Sequence, residues 1–193
     1  MARSAWVAYA RIADIGADAL ALTRTLLSAV DRARLKRFAT ARRRREFLAG
    51  RWLLAASRSA WQRKGGGASL SHSGGWVACA LLERGVPGVD IEPMVARDFL
   101  KLGAWAFPAE AREPWADAVD RRKAFYGRWT RYEARLKGAK HSAYGERTWY
   151  LDGVALSARL PQKLAIAGGA PRRWRRRGGF APAKLKAGNF ERR

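Results

Sequence analysis

Three stretches of this chain carry side chains whose types and spacing suit chemistry. In GVDIE, Asp90 and Glu92 stand two residues apart. On a strand both carboxylates emerge on one side, and Ile91 points the other way into the core. Neighbouring carboxylates repel, so they are tolerated when solvated or when a cation neutralises them. Magnesium prefers carboxylates, phosphate oxygens and water. Taken alone, the pair fits a solvated acidic edge better than a metal site. In WTRYEARLK, the spacing of Trp129, Glu133 and Lys137 stacks them along one helical face. Glu133 and Lys137 are then either a surface pair worth ~0.2–0.5 kcal/mol, or a third carboxylate beside a phosphate-binding lysine. In SLSHSGG, Ser71, His72 and Ser73 form a polar cluster at the mouth of an apolar strand. Adjacent strand residues point opposite ways, which argues against a Ser-His nucleophile. His72 is left as a ligand contact or a structural hydrogen bonder.

The elements that must position these groups follow from periodicity and breakers. Ala5 to Ala10 read as a short strand. Ala17 to Val30 read as a helix with Leu20, Leu22, Leu26 and Leu27 near one face. DRARLKRF is a second helix, and RRREFLAGRWLLAASRSAW a third, with Phe47, Leu48, Leu54 and Trp61 facing inward. Gly65, Gly66 and Gly67 end it, because glycine propagates a helix poorly. SLSHSGGWVACALLE holds a buried strand after a Gly-Gly turn, and GVPGVDIEP a shorter strand that Pro93 ends. A loop-broken helical stretch from Asp98 to Glu113 precedes a long helix from about Ala118 to Lys140. TWYLDGVAL and KLAIAGG read as strands, and the basic segment from Pro171 onward as a poorly packed tail. Each half thus places helix before strands. The expected fold class is α+β in two similar lobes, residues 1–93 and 94–170, with a tail at 171–193.

Composition bounds the possibilities. The chain is 48% hydrophobic with Trp 9, Phe 7 and Tyr 5, enough for a core and too aromatic for a disordered basic protein. Lys+Arg 39 against Asp+Glu 16 gives a net charge of +23. Such a field attracts nucleic acid, anionic membrane, a phosphorylated ligand or an acidic protein, without choosing among them. The lone Cys79 excludes an intramolecular disulfide and a Cys-based zinc site, and reads as core packing. No apolar run approaches the ~18–20 residues that span a bilayer. Arg11 interrupts the first apolar run, unlike a secretory leader. The expectation is a soluble, cytoplasmic protein.

Taken in order, SLSHSGGWVACAL, GVDIE and WTRYEARLK resemble the Sfp-type 4′-phosphopantetheinyl transferase family. That family shows an SHS-like strand, a G-[IV]-D-[IV]-E strand and a W-x-x-K-E-A-x-x-K helix. REFLAGRWLL resembles the family's arginine-bearing first-lobe helix, so the likeness covers roughly residues 34–140. It implies two pseudo-twofold-related lobes with the active site in the cleft between them. It implies magnesium-dependent transfer of the phosphopantetheine arm of coenzyme A to a serine of an acidic apo acyl or peptidyl carrier protein, releasing adenosine 3′,5′-bisphosphate. Matched by motif, Asp90, Glu92 and Glu133 would hold Mg²⁺, and Lys137 would brace a phosphate oxygen. Glu133 or a metal-bound water would take the serine proton. Ser71 and His72 would meet the coenzyme's phosphate region. Arg37 and one or more of Arg43, Arg44 and Arg45 would meet the 3′-phosphate, where a guanidinium fits well; a solvated helix face is the equal alternative for these arginines. Phe125 and Tyr126 would lie near the carrier-binding edge unless they serve the core. The family usually acts as a monomer.

Departures from the pattern bear on coenzyme affinity rather than on the metal ligands. Tyr132 stands where the family has Lys before the helix Glu. GAKHSAYG follows Lys137 in place of a Gly-rich turn, and no Gly-Lys-Pro match lies between Gly50 and Ser71; Lys64 is the nearest substitute. The chief rival is a non-catalytic nucleic-acid binder using RRWRRR. It leaves GVDIE unexplained and brings no recognised nucleic-acid motif. A degenerate member that binds coenzyme A or carrier protein without catalysis is a second rival. A membrane-surface role lacks an accompanying amphipathic apolar face.

Overall fold

The computed structural model describes residues 4–62, 66–107, 120–167 and 169–174. It is a mixed α+β molecule with two sheets. Strand β1 (Ser4–Arg11) leads through a short 3-10 turn to helices α1 (Ala17–Thr25), α2 (Ala29–Lys36) and α3 (Ala41–Trp61). A hairpin of β2 (Gly67–Ser73) and β3 (Trp76–Leu82) follows, then β4 (Gly88–Pro93). After α4 (Phe99–Ala106) and α5 (Arg121–Lys137) come β5 (Tyr144–Leu151), β6 (Val154–Pro161), β7 (Ala165–Ile166) and β8 (Arg172–Trp174). The first sheet runs β2-β3-β1-β7 with β8 also on β1; the second runs β4-β6-β5.

The two sheets pack face to face between helices. Alternation along β1 shows how. Trp6, Ala8 and Ala10 join the core under the first three helices, with Leu20, Leu35, Trp52 and Leu53. Ala5, Val7 and Tyr9 join the core between the sheets, with Val89, Ile91, Leu156 and Leu160. Both faces of β1 are covered, which is why AWVAYA is apolar without a break. On the far side of the second sheet, Ala155 of β6 packs on Phe125 and Tyr126 of α5. The layer order is therefore α3, first sheet, second sheet, α5.

Local boundaries differ from the sequence expectation in informative places. The helix expected to reach Val30 stops at Thr25, because the Ser28 side chain accepts from Asp31 N and starts α2 afresh. TWYLDGVAL is two strands, since Asp152 (φ 53°) and Gly153 (φ 77°) make a tight hairpin turn. KLAIAGG contributes two strand residues. The segment from Pro171 does not begin as a loose tail: Arg172–Trp174 pair in parallel with Ala8–Ala10 of β1. Arg173 binds Asp152 at 2.6 Å and Asp14 at 3.6 Å, and its guanidinium lies over the Trp76 ring. The remainder of that tail lies outside the described residues, as do the ends of the helices expected at 108–113 and 118–119. A cut at residue 93 falls beside a strand, β4, that is hydrogen-bonded to β6 of the second half. No helix among the described residues is long and apolar enough to cross a membrane.

Candidate active site

Strand alternation divides β4 between two jobs. Val89 and Ile91 enter the core between the sheets. Asp90 and Glu92 face the other way, toward α5 and the neighbouring β2. Asp90 is not a solvated edge residue; it is 3% exposed. Its Oδ1 accepts from Ser71 Oγ at 2.7 Å and from Lys137 Nζ at 2.6 Å. Its Oδ2 is buried and has no hydrogen-bond partner. Glu92 Oε2 accepts from Ser73 Oγ at 2.6 Å.

Helix α5 brings its face across this pair. Glu133 Oε2 lies 4.0 Å from Lys137 Nζ, so one ammonium reaches Asp90 and approaches Glu133. The helix comes this close because β4 starts with Gly88. A Cβ there would stand 1.8 Å from the carbonyl oxygen of Ala134. Behind the site, Thr130 and Ser157 share a buried hydrogen bond of 2.7 Å that locks α5 to β6.

Burial and the charge of Asp90 push the Glu92 carboxyl above its ordinary range, against the hydrogen bond from Ser73. Lys137 touches Asp90, approaches Glu133 and acts through its charge on Glu92, where the Arg97 charge also acts. The donor set fits a cation on one ground, a buried orphan oxygen on Asp90; at Glu92 the negative charge of Asp90 is opposed by Lys137 and Arg97. Among the described residues, no group of three or more His, Cys, Asp or Glu is assembled to hold a metal ion. Lys137 holds the position between Asp90 and Glu133 instead.

The ionised form of Glu92 is disfavoured in the fold, so its stabilising contribution is present at low pH and lost as pH rises through its raised pKa. Glu92→Gln removes that penalty. It is expected to raise the Tm of metal-free protein at neutral pH and to flatten the fall of Tm with rising pH. Scanning calorimetry in a chelator checks this. A lower Tm for the variant at neutral pH would count against a desolvation penalty on the Glu92 charge.

The other expected site residues divide. Ser71 is buried between Asp90 and Lys137, which also donates to its hydroxyl at 3.3 Å. His72 points to the opposite side of β2, with Nδ1 3.6 Å from Glu46 Oε2. Burial holds the His72 imidazole below its ordinary value, opposed by the Glu46 charge. Glu46 is itself buried, yet hydrogen bonding from Arg42 and the charges of His72, Arg42 and Arg43 hold it below the usual range. Arg43 is thereby engaged. Arg44 donates to the Phe38 and Ala39 carbonyls at 2.9 and 3.5 Å. Arg37 is exposed at the end of α2. Arg45 lines a cavity of about 660 Å³ with Arg11, Arg42 and the Gly74–Gly75 turn.

A second cavity, about 250 Å³, opens beside Glu92 and is walled by Arg97, Leu102, Trp105, Phe125, Tyr126 and Trp129. Phe125 and Tyr126 are 5% and 4% exposed and belong to the core. The exposed aromatics of this edge are Trp105 and Tyr132, neither of which periodicity alone would mark. Cys79 is buried, which pushes its thiol up to about 12 and removes it as a nucleophile. No protein-family model and no curated protein matches this chain.

Proposed function

We propose that this protein is a phosphopantetheinyl transferase that moves the phosphopantetheine arm of coenzyme A to a serine of an acidic carrier protein. One observation carries the proposal: Lys137 bridges toward Asp90 and Glu133, its charge also acts on Glu92, and a buried Asp90 oxygen is left without a partner. Two long helices, α3 and α5, each covering one sheet, support a two-lobed reading with pseudo-twofold symmetry.

Asp90, Glu92 and Glu133 would hold a magnesium ion here, with Lys137 moving from Asp90 to a phosphate oxygen. When bound, the ion supplies charge neutralisation at the pyrophosphate as the leaving group departs. The carrier serine oxygen attacks the phosphorus that bears the arm. The P–O bond to adenosine 3′,5′-bisphosphate breaks, and that group leaves with the electron pair. The serine proton passes to the Glu133 carboxylate, which lies within reach of solvent for its later release. Lys137 stabilises the charge that develops on the transferred phosphoryl group. Arg45 and Arg11 offer guanidinium groups for the coenzyme's 3′-phosphate, in a cavity also lined by Glu46, the acid that His72 approaches. The aromatic cavity beside Glu92 suits the uncharged arm.

Trp105, Tyr132 and Leu136 are exposed near Arg128, Arg131 and Arg135, which suits a carrier protein with an acidic helix. The net charge of +23 would speed that encounter in a salt-dependent way. The test is incubation with coenzyme A, Mg²⁺ and an apo carrier protein. The carrier is expected to gain the mass of the phosphopantetheine arm, and to gain none in a chelator. No mass gain, together with salt-sensitive retention on DNA, would favour the nucleic-acid binder.

A further inference from the structure

Strands β2 and β4 belong to different sheets, yet three serines of β2 join them. Ser69, Ser71 and Ser73 alternate with Leu70 and His72 and therefore share the face toward β4. Ser69 Oγ accepts from Val89 N at 3.1 Å, which holds backbone. The other two donate to charges: Ser71 to Asp90 Oδ1 and Ser73 to Glu92 Oε2. We propose that Ser71 and Ser73 are positioning residues: each ties one oxygen of a β4 carboxylate and so aims the other at a divalent cation. The inference rests on the cation site proposed above.

The hydrogen-bond inventory makes the assignment specific. A serine hydroxyl has a single proton to give. Lys137 donates to Ser71 Oγ at 3.3 Å, so the Ser71 proton is directed at Asp90. Asp90 Oδ1 then receives two donors, and Oδ2, buried, receives none. A carboxylate tied on one oxygen cannot turn freely, so its free oxygen has a fixed aim. Glu92, on a longer side chain, needs the same restraint from Ser73. This use of Ser71 also removes it as a nucleophile, since its proton and one lone pair are already engaged. Outer partners of metal ligands commonly govern affinity by about 10–100-fold.

Threonine and valine have the same shape, and threonine alone keeps the hydroxyl. Ser73→Thr and Ser73→Val therefore isolate the hydrogen bond at matched volume and strand preference. Mn²⁺ is titrated into each protein with saturating coenzyme A, against a coenzyme-only blank, and followed by the paramagnetic resonance signal of free and bound ion. Ser73→Val and Ser71→Ala are expected to weaken Mn²⁺ binding by about tenfold or more. Ser73→Thr should restore it to near the wild-type value. Ser69→Ala should lower Tm while leaving Mn²⁺ affinity unchanged, because Ser69 touches no carboxylate. If Ser71→Ala does not fold, the Ser73 pair decides. Equal Mn²⁺ binding by wild type, Ser73→Thr and Ser73→Val overturns this inference alone. Wild-type protein that binds no Mn²⁺ overturns it together with the transferase proposal.

Discussion

Asp90→Asn is expected to lower the transfer of phosphopantetheine by about 10²–10³-fold or more, which is about 2.7–4 kcal/mol of lost transition-state stabilisation. The substitution changes one atom and leaves the volume unchanged. Its effect comes from what surrounds each oxygen. Oδ1 faces two donors, the Ser71 hydroxyl and the Lys137 ammonium. The asparagine carbonyl must take that side. The amide NH₂ then occupies the place of Oδ2, and it points two protons where a cation would sit. The variant therefore does more than remove a charge; it installs a donor where an acceptor is required. The fold should persist, since Val89 and Ile91 still anchor β4 in the core. Transfer is read by carrier mass over time, and folding by near-ultraviolet circular dichroism. Wild-type turnover in a well-folded Asp90→Asn protein would remove Asp90 from the chemistry and the cation site with it.

The alternation in GVDIE places Asp90 and Glu92 together, and the four-residue spacing of Glu133 and Lys137 places both on one face of α5. Those local periodicities survive because each is a property of one element. Burial does not show locally. Nothing in the sequence says that α5 will cover Asp90, so the pair reads as a solvated edge. The serine ladder is hidden for the same reason: its partners are 19 and 20 residues away and in another sheet. The run Arg42 to Arg45 looks uniformly available. Glu46, an ordinary surface acid by composition, is buried and engages Arg42 and Arg43, while Phe38 and Ala39 carbonyls engage Arg44. Arg172–Trp174 read as tail because a three-residue strand has no period to detect. It forms because β1 offers it an open edge. The Asp152–Gly153 turn, in contrast, has a local signal: the Asp-Gly dipeptide that divides TWYLDGVAL into two strands.

Gly88→Ala tests the close approach on which the site depends. An ideal Cβ at residue 88 would lie 1.8 Å from the Ala134 oxygen and 2.9 Å from both the Ala134 carbonyl carbon and the Gly138 nitrogen. These are backbone atoms at the end of α5, so no side-chain rotation relieves the overlap. The helix must retreat from β4 by more than an atom's shift. Retreat would strain the buried Thr130–Ser157 bond and pull Lys137 from Asp90. Overpacking against movable side chains costs typically 1–3 kcal/mol; against fixed backbone the expected loss is about 3 kcal/mol or more, a Tm drop of roughly 6–12 °C for a chain of this size. Gly50→Ala supplies the contrast. That glycine lies inside α3, and its Cβ would meet only Leu70 Cδ1 at 3.8 Å, an ordinary contact. Removing glycine's backbone freedom there should stabilise by about 0.5–1 kcal/mol. The same substitution thus has opposite signs at two buried glycines, and the difference is set by what each faces. A Gly88→Ala protein with wild-type Tm, measured by thermal circular dichroism, would mean that α5 does not press on β4, and the distance from Lys137 to Asp90 would lose its physical basis.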